Sequence, residues 1–440
     1  MTATTFTYVG FDLDPADNRL TCRYRLDDRE FREEITFPGL GDWAQPAVAE
    51  AARLLFLLAG VSYYKAGAPP VIDLGDTAVT ERERGFLRDY YLEGLGEFAH
   101  RNGLDLSGLR IEGPTLTRTV PTPYEPQPGR PLIPFGGGLD SIVTVELVRP
   151  HAKDAALFVV NRPGDRFDAI ETPGQTTGLP VTRAERLIDE QVLRSRELGF
   201  LNGHVPVTGI ISAIALVAAV LEGRDAVVMS NEWSASSATL VVDGREINHQ
   251  YSKSDAFESA LRGVVADALG GGLEYFSLLR PFSELWIARR FADHPEYVDR
   301  FRSCNRAFHI DTSLCWDHWC GRCDKCCFID LILAPFVDKA VLRGVFGGAE
   351  PLDDPTLLDA FRKLLALTPD AKPWECVGDE VECRVAARMA AQRPDREGEK
   401  VLATLVAEAG GRIDAPADDL LRPLSAHHVP DRYAPDALLV

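Results

Sequence analysis

Lysine is scarce in this 440-residue chain: there are eight, and acidic residues outnumber basic ones 66 to 47, for a formal net charge of -19. That shortage of positive charge argues against a broad nucleic-acid surface, because phosphate backbones demand clustered Lys and Arg. It leaves room for a small anionic substrate in a local basic pocket. Low-complexity tracts and internal repeats are missing, which excludes repeat arrays and compositionally disordered classes. The opening MTATTFTYVGFD has no basic start followed by an apolar run, so no secretory signal is expected. The longest apolar stretch, residues 205–221, is interrupted by Thr208 and Ser212 and fits a buried helix beside a sheet better than a membrane span. The nine cysteines are not spread as a disulfide framework; six crowd into residues 304–327. Crowding of this kind in a chain without a signal points to a cytoplasmic setting and a bound metal.

What is present is ordinary for a soluble fold, with 45% hydrophobic and 26% charged residues. The length suggests more than one domain. Residues 1–120 are expected to form a smaller α+β domain. In it, TFTYVGFDLD and REFREEITF alternate as strands of a hairpin, AVAEAARLLFLLAGVSYYKAG has helical spacing, and another helix covers residues 80–101. The proline-rich residues 121–131 read as a linker. From 132 to 343 strand and helix signals alternate: LIPF, AALFVVN and DAVVMSNE as strands, with SIVTVELVRP, RAERLIDEQVLRSREL and GIISAIALVAAVLEG as helices. The alternation predicts a parallel sheet with helices on both faces. Residues 344–440 read as a helical extension.

Between the strand LIPF and the helix SIVTVE lies the stretch Phe135-Gly136-Gly137-Gly138-Leu139-Asp140-Ser141. Backbone N–H groups at a helix start are unpaired and lie at the positive end of its dipole, and glycines let an anion approach them closely. Asp140 can position a metal and Ser141 can bond a phosphate oxygen. The spacing is neither that of the dinucleotide fingerprint nor that of the P-loop. It resembles instead the pyrophosphatase loop of the PP-loop ATP pyrophosphatase superfamily, Ser-Gly-Gly-x-Asp-Ser, with Gly136 in place of the first Ser. The resemblance implies ATP, with its pyrophosphate end in the loop while a substrate oxygen is adenylated. Asn161 and Asn231, at the ends of AALFVVN and DAVVMSNE, are further candidates for nucleotide contacts.

The second cluster, SCNRAFHIDTSLCWDHWCGRCDKCC, puts Cys320, Cys323 and Cys326 in one tight knuckle whose turn Gly321 permits. Zinc wants four such ligands; Cys315 and Cys304 compete for the fourth place, with His318 outside them. An iron–sulfur cluster is the other metal reading. HVPVTGIISAIALVAAVLEGRDAVVMSNE and RPFSELWIARRFADHPEYVDRFRSCN are similar to the 7-cyano-7-deazaguanine synthase branch. That branch's structural zinc implies Cys304 as the fourth ligand. Cys22, Cys376 and Cys383 read as structural, and Cys327 as packed on the helix that follows it.

The whole chain is more similar to the UDP-N-acetylmuramoyl-L-alanyl-L-glutamate epimerases, on FGGGLDSIVTVE, SNEWSAS, NHQYSKSDAFE and SCNRAF. The family implies ATP- and Mg2+-dependent inversion of the terminal L-Glu of a UDP-MurNAc-dipeptide, with release of AMP and diphosphate. Asp140, Glu232, His249 and Lys253 are the catalytic candidates, since the strand end DAVVMSNE should open onto the ATP crevice. Arg280, Arg289, Arg290, Arg302 and Arg306 are candidates for the uridine diphosphate or the glutamate side chain, and Tyr63-Tyr64-Lys65 for a precursor contact. The competing readings are an adenylating amide- or nitrile-forming ligase and a non-catalytic, zinc-stapled binding protein.

Overall fold

A computed structural model describes residues 3–242, 244–308, 312–368, 377–410, 412 and 416–438; Cys376, expected to be structural, lies outside them. Its strands are β1 (Thr5–Asp14), β2 (Arg19–Leu26), β3 (Arg29–Thr36), β4 (Val71–Asp73), β5 (Arg110–Glu112), β6 (Gln127–Pro134), β7 (Ala156–Asn161), β8 (Val181–Leu187), β9 (Arg224–Met229), β10 (Leu240–Val242), β11 (Arg245–Ile247) and β12 (Glu274–Ser277). Ten of them form one sheet in the order β12-β9-β6-β7-β8-β3-β2-β1-β4-β5, and β10 and β11 make a separate ribbon. The block β12-β9-β6-β7-β8 is parallel throughout, as the alternation of strand and helix signals requires.

The strands of residues 1–120 join this block edge to edge. β3 runs antiparallel to β8, pairing Glu34 with Leu187, Ile35 with Arg186 and Thr36 with Glu185. Beside that seam the fully buried Glu33 takes Arg186 at 2.7 Å. The helices Pro46–Ala59 and Val207–Glu222 pack together, and their apolar faces enter one continuous core. The helical stretch Pro46–Tyr64 has the length and apolarity of a membrane span, and 89% of its most apolar window is buried inside the fold.

Local structure departs from expectation at three places. Residues 183–198 carry helix-forming composition, yet 181–187 are β8 and only Glu190–Leu193 is helical. Two flanking strands satisfy both edges of this segment, and Arg183 and Arg186 find Glu171 and Glu33; pairing outweighs local propensity. The expected hairpin is a three-stranded meander, because RLTCRYRL supplies β2 between the two foreseen strands. β6 starts at Gln127, inside the stretch read as linker. Its register breaks between Gln127 and Pro131, where prolines cannot donate to the ladder. Buried Asp225 instead takes the N–H groups of Gly129 at 3.0 Å and Arg130 at 2.8 Å.

Chain order reverses in the middle of the parallel block. From β6 the chain moves to β7 and β8 on one side, then crosses to β9 and β12 on the other. The crevice beyond the C-terminal ends of β6 and β9 is therefore the switch point at which open α/β sheets bind ligands.

Candidate functional site

At the β6 end, Gly136–Gly138 turn the chain into the helix Leu139–Val148, whose N-cap is Gly138 with no side-chain cap. The helix's first N–H groups face the crevice end of the sheet with their dipole charge. Gly137 has φ 74°, and a Cβ there would lie 1.9 Å from the Ala169 carbonyl oxygen, so no other residue fits. Gly136 is the opposite case: a Cβ would meet nothing within 4 Å. A serine side chain at this position would therefore meet no obstacle. Behind the turn, Arg302 N donates to the Gly137 carbonyl at 3.2 Å, and its guanidinium pairs with Asp168 at 2.7 Å. Ser141 Oγ donates to the Gly138 carbonyl at 2.9 Å.

Asp140, in the first helical turn, shares the crevice with Glu232 beyond β9. Burial first, then the charge of Glu232, raise the Asp140 pKa from 3.8 to about 6 against the opposing pull of Lys325 and Lys253. Glu284, at the head of the helix Glu284–Ala292, belongs to the same group. Burial raises its pKa well above the usual value, and the charges of Asp140 and Glu232 add to that. Asp140 and Glu284 are thus held above the ordinary carboxylate range within one group of charges that also includes Glu232, Lys253 and Lys325. Asn231 Nδ2 donates to Ser277 Oγ at 3.0 Å, tying the β9 end to β12. Asn161, at the end of β7, spends its amide N–H groups on the carbonyls of Arg162 at 2.7 Å and Asp165 at 3.0 Å. Its Oδ1 is buried without a partner, as are Ser230 Oγ at the β9 end and Ser303 Oγ beside Gly138. Orphaned polar atoms around a glycine cradle fit a polyanionic nucleotide with polar edges, and carboxylates at its mouth fit the oxygen-seeking Mg2+.

The loop carrying His249 and Lys253 lies against the β9 end, and the Lys253 charge acts on Asp140. His249 Nδ1 bonds the buried Glu97 carboxylate, and the rings of His249 and His204 lie 4.3 Å apart, centroid to centroid. Arg280 fixes this loop against the β9 end: it donates to the Glu232 carbonyl at 2.8 Å and to the Lys253 carbonyl at 2.5 Å, and pairs with Glu258. Buried at 1% exposure, Arg280 is unavailable to a substrate, which corrects its sequence assignment. Arg289 and Arg290 are exposed, as expected of a helix face, and Arg306 stacks on Trp316 at 4.5 Å. Tyr63 and Tyr64 are sealed in the core; of that trio only Lys65 reaches outward, to Asn202 Oδ1 at 3.1 Å and the Gly203 carbonyl at 3.3 Å.

On the other flank, Cys320 and Cys323 each place Sγ 3.6 Å from Cys326 Sγ, close to the edge of about 3.8 Å of a tetrahedral zinc–thiolate site. Gly321 makes the turn at φ 65°. Cys304, buried nearby, is hydrogen-bonded to Cys323. The donor set suits zinc. Cys22, Cys327 and Cys383 are buried.

Sequence reading passed over Glu97, His204 and Glu284. A histidine in the polar loop NGHVP before an apolar helix was the single signal available for His204. Nothing local marks Glu97 or Glu284.

The chain matches the family model described as the MurL N-terminal domain over residues 1–278, and that described as the MurL C-terminal domain over residues 300–419. The join falls beyond β12, in the segment that carries Arg280 and Glu284. Three curated proteins named UDP-N-acetyl-alpha-D-muramoyl-L-alanyl-L-glutamate epimerase are similar over nearly their whole lengths. That of Xanthomonas oryzae pv. oryzae is 38% identical over 438 residues, covering 97% of this chain and 95% of the relative. That of Salinispora tropica is 38% identical, covering 98% and 95%, and that of a Micromonospora species 37% identical, covering 98% and 96%.

Proposed function

The chain belongs to the MurL family, and on that premise we propose that it inverts the terminal L-glutamate of UDP-MurNAc-L-Ala-L-Glu to D-glutamate by adenylating the glutamate α-carboxylate with ATP. The reaction serves peptidoglycan-precursor synthesis in the cytoplasm. The observation that carries this reading is the meeting, at one switch point, of an anion cradle with Asp140 at its mouth and the loop bearing Lys253 and His249. The fold is read accordingly as a PP-loop-type ATP-binding domain, with the 1–120 segment recognising the precursor.

The chemistry explains the need for ATP. A hydrogen α to a free carboxylate is a very weak acid, because its loss piles a second negative charge on that group. Adenylation removes the first charge and makes the carboxyl carbon an electron sink. The backbone N–H groups of Gly136–Gly138 and the Ser141 hydroxyl hold the diphosphate end, while Phe135, Asn161 and Asn231 bound the nucleoside side. Asp140 would hold Mg2+, which would supply neutralisation of phosphate charge. Glu232, His249 and Lys253 carry the proton transfers on the two faces of the α-carbon. Diphosphate leaves as the acyl-adenylate forms and AMP leaves when water hydrolyses it, and these two losses give the process direction. Zinc on Cys304, Cys320, Cys323 and Cys326 would staple the segment whose Arg302 and Ser303 back the glycine turn.

Incubation with ATP, Mg2+ and UDP-MurNAc-L-Ala-L-Glu in deuterium oxide tests the reading. D-glutamate carrying one α-deuterium, with one AMP per turnover, is the expected product. An amide- or nitrile-forming ligase would also make AMP but would need an amine donor and leave the α-hydrogen in place; L-glutamate without deuterium sinks the epimerase reading.

A further inference from the structure

Glu97, His204 and His249 come from the helix Gly96–Asn102, the loop before the helix Val207–Glu222, and the loop after β11. One ligand atom from each lies within 4.8 Å of the others. We propose that these three side chains are one proton-transfer unit, in which His249 removes the α-proton of the adenylated glutamate and Glu97 and His204 position it. The proposal deepens the epimerase reading and rests on it.

Geometry argues first. With His249 Nδ1 committed to the Glu97 carboxylate, proton exchange runs through Nε2, and the carboxylate stabilises the imidazolium as it forms. In the step itself the Cα–H bond breaks and an Nε2–H bond forms, while the C–H electron pair moves onto the activated carboxyl as its oxyanion. Two opposed bases must each reach one carbon within about 3 Å, so they stand roughly 6 Å apart. Imidazoles with centroids 4.3 Å apart cannot flank a carbon; His204 therefore shares His249's face. The proton that completes inversion comes from the other side, with Lys253 as its source: an Nζ–H bond breaks, a Cα–H bond forms, and the electron pair returns from the oxyanion.

Electrostatics agrees. Burial opposes charge on Glu97, yet once His249 has taken the proton its hydrogen bond and charge outweigh that burial and hold the carboxyl below its usual pKa. Burial, then the positive charges of His249, Lys253 and Lys65, push His204 down to about 4 against the pull of Glu97. It stays neutral beside its partner and does not repel the imidazolium. A divalent cation would suit the same three donors, but Lys65, Lys253 and Arg101, whose Nε sits 2.7 Å from Glu97 Oε1, crowd the site with positive charge.

The test separates the two half-reactions in the full chain. His249→Asn should lower α-deuterium incorporation by about 100-fold or more relative to the AMP formed with UDP-MurNAc-L-Ala-L-Glu. Glu97→Gln should lower incorporation by about 10- to 100-fold and move the acid limb of the kcat/KM profile to lower pH, because the imidazolium loses its counter-charge. Glu97→Asp should recover part of both effects. Unchanged incorporation and an unchanged pH profile in Glu97→Gln overturn the unit, as does a second metal equivalent that wild type binds and Glu97→Gln loses. If Glu97→Gln does not fold, Glu97→Asp and His249→Asn decide by the same readouts. Absence of deuterium incorporation in wild type refutes the epimerase reading itself and this unit with it, whereas incorporation at the wild-type rate in every variant refutes the unit alone.

Discussion

Arg280 and Glu258 form an ion pair of 3.0 Å with both side chains sealed from solvent. The remaining donors of the guanidinium hold the main-chain carbonyls of Glu232 and Lys253, and Glu258 Oε1 takes the Ser277 N–H at 2.9 Å. One buried cation thus locks the β9 end, the Lys253 loop and β12 to one another. A planar fork with five donors can reach all these acceptors; an ammonium cannot.

Arg280→Lys should therefore fold with a loss of about 2 to 4 kcal/mol and drop kcat at least tenfold, while the KM for ATP changes little, because the glycine cradle is untouched. Urea melts and steady-state kinetics on the same preparation check this. A fall in ATP affinity alone would show that the lock serves the nucleotide instead.

The glycine turn gives opposite outcomes at neighbouring positions. Gly136→Ser has open space and should leave the melting temperature within a degree or two, with ATP bound equally or more tightly. Gly137→Ala forces a Cβ against the Ala169 carbonyl at φ 74° and should cost about 2 kcal/mol or more and abolish ATP binding. Calorimetric titration with ATP and a thermal melt separate them.

Removal of metal should be felt in stability before chemistry. A strong zinc chelator, or Cys326→Ser, is expected to cost several kcal/mol, and elemental analysis should find one zinc per chain. Cys304→Ser should lose that zinc and Cys315→Ser keep it; the reverse pattern would move the fourth ligand to Cys315.

His204 sets a pH signature for stability. Its folded-state pKa lies near 4, below the 6.5 of the unfolded chain, so between these values the unfolded state binds a proton that the folded state refuses. Stability is then full above about pH 6.5 and declines as pH falls toward 4, by about 2 kcal/mol after allowance for partial solvent access. The groups facing it are Glu97, His249, Lys253 and Lys65. His204→Asn should remove this slope: urea melts at pH 7 and pH 4.5 should show wild type losing more stability than the variant. Parallel losses in both proteins would contradict the assignment.

Much of the site was readable from local patterns. A strand, three glycines, Asp-Ser and an apolar helix announce an anion cradle within eleven residues, because a backbone that must turn sharply and approach a ligand can be built from few residue types. Cysteines at i, i+3 and i+6 announce a metal knuckle for the same reason: the spacing itself sets the ligand geometry. The parallel block followed from alternating periodicities, and the helices Pro46–Ala59 and Val207–Glu222 from their unbroken apolar faces.

Other features depend on partners far away in the chain. Residues 183–198 look helical until β3 and β7 offer edges on both sides of β8, and backbone pairing then outweighs propensity. Arg280 reads as a candidate for the substrate's anionic groups until three acceptors from separate segments converge on it. Glu97 and His249 are 152 residues apart, and no spacing rule joins them. The sequence by itself determined the glycine turn between strand and helix, the cysteine knuckle and the layered class, since each is encoded by neighbours along the chain. Only the tertiary structure decided which carboxylate backs which base and where the first 120 residues attach. Those choices come from burying charge and closing strand edges across the whole fold, a competition that no local stretch can register.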